Sequence, residues 1–78
     1  MSVVSEKKWF ILRLAACAIA QNIVTLEQLS ENLNQNYTDS EIAGIWRQAR
    51  LILVKEDQYW LEEALFMIFE NNSEHNAA

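Results

Sequence analysis

The sequence predicts an all-α fold, a small four-helix domain built around a central, apolar first helix. Three observations carry that expectation. Residues 9–20, WFILRLAACAIA, are apolar at eleven of twelve positions, with Arg13 the exception, and a helix so apolar must be buried in a core or against a partner. Proline is absent and Gly44 is the single glycine, which leaves little to build the tight turns of an all-β domain. Two segments, Thr25-Leu26-Glu27-Gln28 and Thr38-Asp39-Ser40-Glu41, carry the capping-box pattern that opens helices.

The first helix begins at Ser5, whose hydroxyl is a suitable N-cap, with Val4 placed to contact Trp9 as a hydrophobic staple. Its inward stripe is read as Trp9, Leu12, Ala16, Ile19 and Ile23, widened by Phe10, Ile11, Leu14 and Cys17. The second helix is expected to start at Thr25, with Val24 and Leu29 as its staple pair. It turns Leu26, Leu29 and Leu33 inward and ends near Asn34. The third starts at Asp39, with acids in its first turn favouring the helix dipole. Ile42, Trp46, Ala49 and Leu53 form its buried row, Ile45 and Ile52 lie alongside, and Arg47, Gln48 and Arg50 face out.

Residues 54–59 have a polar centre but no residue that forces a break. The expected form is a helical elbow with Asp57 capping a fourth helix. A short hairpin near 51–61, pairing 51–54 with 59–61, is the second reading, and a continuous long helix the third. In the fourth helix Trp60, Ala64 and Met67 make one inward row and Leu61, Leu65 and Ile68 the next. Phe66 falls four residues from both Glu62 and Glu70, on the acidic side. The expected organisation is a flexible arm over 1–4, one helical domain over 5–71 and a disordered polar tail over 72–78.

Composition narrows the function classes. At 78 residues the chain makes one domain of marginal stability, yet 51% of it is apolar, including three Trp, two Tyr and three Phe, a surplus for so small a body. A single cysteine forms no internal disulfide, which favours a reducing, cytoplasmic setting. The formal charge of −5 disfavours nucleic acid and anionic lipid and suits a basic or neutral protein surface. Lys7-Lys8 before the apolar run, and the small residues around Cys17 and Ala20, imitate a secretory or lipoprotein signal. The charge of Arg13 in the middle of that run argues against both, and the run is too short to span a membrane.

No constellation for catalysis, cofactor or metal binding stands out. The one histidine, His75, lies in the polar tail far from Cys17, and Cys17 reads as a small core hydrophobe. Glu56-Asp57 and Glu62-Glu63 read as solvated helix faces. Asp39-Ser40 resembles the helix start at which acyl carrier proteins take a phosphopantetheine arm, but Glu41 replaces the Leu or Met that follows in that family and completes a capping box instead. The expected function is therefore that of a small non-enzymatic helical module, a regulator or adaptor that binds a protein partner or itself. Its candidate surface is Phe66 with Glu62 and Glu70, together with Arg47 and Arg50.

The alternative is a DNA-associated transcriptional regulator. Residues 25–50 supply two capped helices in a helix-turn-helix-like order. The second would present Asp39 and Glu41 to the groove, where phosphates want Lys or Arg, so direct reading of DNA is not favoured. Leu12-Arg13-Leu14 with Cys17, Thr25-Leu26-Glu27, and Thr38-Asp39 with Glu41, Ile42, Ala43 and Trp46 resemble the Hha/YmoA family over about half the chain. These are small helical bacterial proteins that bind the nucleoid protein H-NS, so the resemblance implies a regulator acting through a nucleoid protein. The sequence departs from the family in lacking the charged Asp-His-Arg segment near Arg50 and in a longer link from Cys17 to Thr25, and no site residue carries over.

Overall fold

A computed structural model describes the backbone of residues 5–77 and the side chains of residues 5–70. It contains four helices, α1 (Glu6–Ala20), α2 (Ile23–Asn36), α3 (Asp39–Leu51) and α4 (Lys55–Ala77), and no strand among the described residues. The chain is thus a small all-α domain, and the hairpin near 51–61 does not form. The expected arm over 1–4, with the Val4–Trp9 contact, lies outside the described residues. So do the side chains of the expected tail over 72–78, although the backbone of α4 is helical to Ala77.

Ser5 caps α1 as expected, its hydroxyl accepting from the backbone N–H of Lys8 at 3.2 Å. The helix closes in a Schellman arrangement: the N–H of Gln21 donates to the Ala18 carbonyl and that of Asn22 to the Cys17 carbonyl, with Gln21 left-handed at φ 53°. Asn22 then serves at once as the cap of α2, its Oδ1 accepting from the N–H of Thr25 at 3.1 Å. This corrects the expected start at Thr25. Thr25 lies inside the first turn, and its capping-box pattern goes unused because Asn22 has already closed the helix end. The far end is also corrected: α2 runs past Asn34 to Asn36, and Tyr37 leaves it in extended conformation.

The capping box at Thr38 is realised. The Thr38 hydroxyl accepts from the N–H of Glu41, and the Glu41 carboxylate accepts from the N–H of Thr38. Glu41 also pairs with Lys7 of α1 at 3.1 Å, tying the two helix starts together. The elbow between α3 and α4 occupies residues 52–54, and the side-chain amide of Gln58 donates to the Leu53 carbonyl at 2.8 Å. Since α4 starts at Lys55, Asp57 sits within its first turn and does not cap it.

Helix α1 packs against all three others and is the central element. The core joins Phe10, Leu14, Cys17 and Ala18 of α1 to Leu26, Leu29 and Leu33 of α2, Ile42, Ile45 and Ala49 of α3, and Leu61, Ala64 and Ile68 of α4. Tyr37 packs edge-on against Phe10 with ring centroids 5.9 Å apart, which pins the α2–α3 junction to α1. The expected inward stripe of α1 has the right period and the wrong phase. Trp9, Leu12, Ala16 and Ile19 face outward, and the arc containing Phe10, Leu14 and Ala18 faces the core, so the helix is only half buried. Ile52 and Met67, both expected inside, are exposed as well, and Trp46 is half-buried.

Candidate functional site

Helices α3 and α4 both rest on α1 but scarcely touch each other. The space between them is a groove of about 560 Å³. On the α3 side it is lined by Asp39, Ile42, Ala43, Trp46, Arg47 and Arg50, at the three- and four-residue spacings that put side chains on one helix face. Leu61, Glu62, Leu65 and Phe69 line the α4 side by the same periodicity, and Asn34 closes one end from α2. The lining is mostly apolar, and its charged members are Asp39, Arg47, Arg50 and Glu62.

Three of the five residues singled out from the sequence meet here. Arg50 donates from Nη1 to Oε1 of Glu62 at 2.8 Å, joining the two walls, and Arg47 stands one turn away on the same wall. Phe66 and Glu70 are not part of the lining. Phe66 is 64% exposed on the outer side of α4, beside the groove. Among the other lining residues, Ile42, Trp46, Leu61 and Leu65 are expected in the core from the sequence, and Phe69 goes unremarked there. The signal for Phe69 was its position four residues after Leu65, on the same face.

A second apolar surface lies on the outside of α1. Trp9, Leu12, Ala16 and Ile19 follow one another at intervals of three, four and three residues, all exposed. The guanidinium of Arg13 lies 5.6 Å from the Trp9 ring centroid, a cation–π contact that orients both on the surface.

Burial pushes the Cys17 thiol up from its ordinary value, with Arg13 pulling weakly the other way, so the thiolate is disfavoured. No group of three or more His, Cys, Asp or Glu with metal-binding geometry occurs among the described residues. Every buried side-chain nitrogen or oxygen among them has a hydrogen-bond partner. No helix described is long and apolar enough to cross a membrane.

The chain matches no protein-family model, no curated protein and no solved structure.

Proposed function

We propose that this protein is a small non-enzymatic interaction module, a cytoplasmic regulator or adaptor that acts by binding another polypeptide or a second copy of itself through helical surface. One observation carries the reading: large apolar side chains stand uncovered in rows rather than singly. Trp9, Leu12 and Ile19 do so along α1, at 47%, 50% and 66% exposure, and Phe66 and Phe69 along α4, at 64% and 52%. Isolated exposed hydrophobes are ordinary, whereas contiguous ones mark contact surfaces. A domain this small gains too little from its core to leave such area in water without a use for it. Direct DNA binding is less well supported. Arg50 is already matched by Glu62, and Asp39 and Glu41 occupy the first turn of α3.

The test combines solution molar mass over a dilution series with photo-crosslinking in cells from positions 12, 66 and 31. Discrete polypeptide adducts from Leu12 or Phe66, and none from the exposed polar Glu31, are expected. A monomer at every concentration with no adduct from either apolar position would overturn the reading.

A further inference from the structure

We propose that the protein self-associates by setting the outer row of α1 in one copy against the outer row of α4 in another. This deepens the interaction-module reading and rests on it, with a second copy of this chain as the partner.

The two rows match in spacing and length. On α1, Trp9, Leu12, Ala16 and Ile19 stand exposed at intervals of three, four and three residues. On α4, Glu56, Tyr59, Glu63, Phe66 and Glu70 repeat the same alternation, all exposed, with Met67 beside Phe66. Alternation of three and four keeps two helices in contact along their length at a shallow crossing angle. Trp9 to Ile19 spans about 15 Å and Tyr59 to Glu70 about 17 Å, at about 1.5 Å per residue. Ala16 is short between Leu12 and Ile19, so the α1 ridge dips where a ring such as Phe66 can enter.

Charge decides which row meets which. Lys8 stands four residues before Leu12 and Arg13 four after Trp9, so both flank the α1 row, and α1 has no acid after Glu6. Glu6 faces Tyr37, whose hydroxyl is raised from its ordinary value by burial and then by that carboxylate. Lys7 turns to α3, where it pairs with Glu41. The α4 row carries Glu56, Glu63 and Glu70, and Lys55 is the one cation over 55–70, at the very start of the helix. Glu62, towards the groove, is taken by Arg50. Two ion pairs occur among the described residues, and neither uses Lys8, Arg13 or the three acids of the row. Pairing α1 with α1 would oppose cations and pairing α4 with α4 would oppose acids; the cross pairing alone brings opposite charges together.

One copy cannot satisfy itself. Its own α4 packs on α1 through Leu61, Ala64 and Ile68, which turns Glu63 and Phe66 away. The two halves therefore join only between copies. One helix against one, over about three turns, is at the small end of specific interfaces, so the association is weak.

The test is solution molar mass by light scattering on the full chain, from about 10 μM to about 1 mM, a range that brackets weak association. Wild type is expected to rise from monomer to dimer or larger, less so in high salt, where the attraction between the rows is screened. Lys8→Glu with Arg13→Glu makes both rows acidic, and Glu63→Lys with Glu70→Lys makes both basic. Each double variant alone should stay monomeric with an unchanged circular dichroism spectrum, since every altered side chain is exposed. The second does so although it lowers the net charge of the chain. An equimolar mixture of the two should associate again, because each acidic row then finds a basic one. Self-association that survives Glu63→Lys with Glu70→Lys, or a mixture that stays monomeric, overturns the proposal. So does capture of a monomeric wild type on phosphatidylserine vesicles that the Lys8→Glu, Arg13→Glu variant does not bind, which assigns the α1 row to a lipid surface. If wild type is monomeric throughout but Leu12 still captures a different polypeptide in cells, the self-association proposal fails and the module reading stands.

Discussion

Arg50 and Glu62, twelve residues apart and on different helices, meet at 2.8 Å across the α3–α4 groove. Their side chains are 51% and 50% exposed, so solvent screens the pair and its net worth is small. A double-mutant cycle with Arg50→Ala and Glu62→Ala should give a coupling of about 0.2–1 kcal/mol in urea titrations, shrinking in high salt. A coupling well above that range would mean that the pair is shielded from water in solution.

The phase of α1 can be tested by two substitutions of the same residue type. Leu14 is fully buried and Leu12 is 50% exposed. Leu14→Ala should cost about 2–5 kcal/mol, a large share of a total near 4–12 kcal/mol for a chain this long, while Leu12→Ala should stay within about 0.5 kcal/mol. Equal losses, read as midpoint shifts in urea at micromolar protein, would show that a second copy covers the outer row.

The start of α3 makes a pH prediction. The Glu41 carboxyl is held below its ordinary value by the Thr38 backbone N–H it accepts from, then by Lys7 and the Thr38 hydroxyl. A lowered folded value means that the unfolded chain takes up the proton more readily. The stabilisation is therefore present above the ordinary value near 4.5 and drains away as pH falls through the lower folded value. Between pH 6 and pH 3 wild type should lose more stability than Glu41→Gln. Thr38→Ala should cost about 1 kcal/mol at neutral pH through loss of the cap. Parallel thermal melts at the two pH values check both.

Gln21 is the one residue with positive φ among those described, at 53°, in a position that favours glycine. Gln21→Gly should raise stability by about 0.5–1 kcal/mol, the left-handed penalty less the extra chain entropy of glycine. An unchanged or lower melting temperature would mean that the Gln21 side chain makes a compensating contact in solution.

Helix number, the caps at Ser5 and Thr38 and the presence of an elbow were legible in the residues, because each depends on a few neighbours in the chain, although the elbow lies at 52–54 and not at the expected 54–59. The second helix start was misread for a local reason too. Gln21 and Asn22 end one helix and open the next within two residues, and a search for a longer link passes over them to Thr25. The facing of α1 was not legible. A helix apolar nearly all round has no polar side to fix its rotation, so contacts with α2, α3 and α4 decide it. The groove was half visible: Arg47, Arg50 and Glu62 could be named, but their meeting depends on how far α1 holds the two outer helices apart. Phe66 drew notice for its acidic neighbours, while Phe69 continued the regular row that reaches the groove.

That separation has a mechanical side. With α3 and α4 each packed on α1 and joined by a three-residue elbow, the solvated ion pair that bridges them contributes little to holding them in place. The width of the cleft is therefore set by the shared core beneath it, where Ile42 and Ala49 join Leu61 and Ala64, and the bridge spans a gap that packing has already fixed.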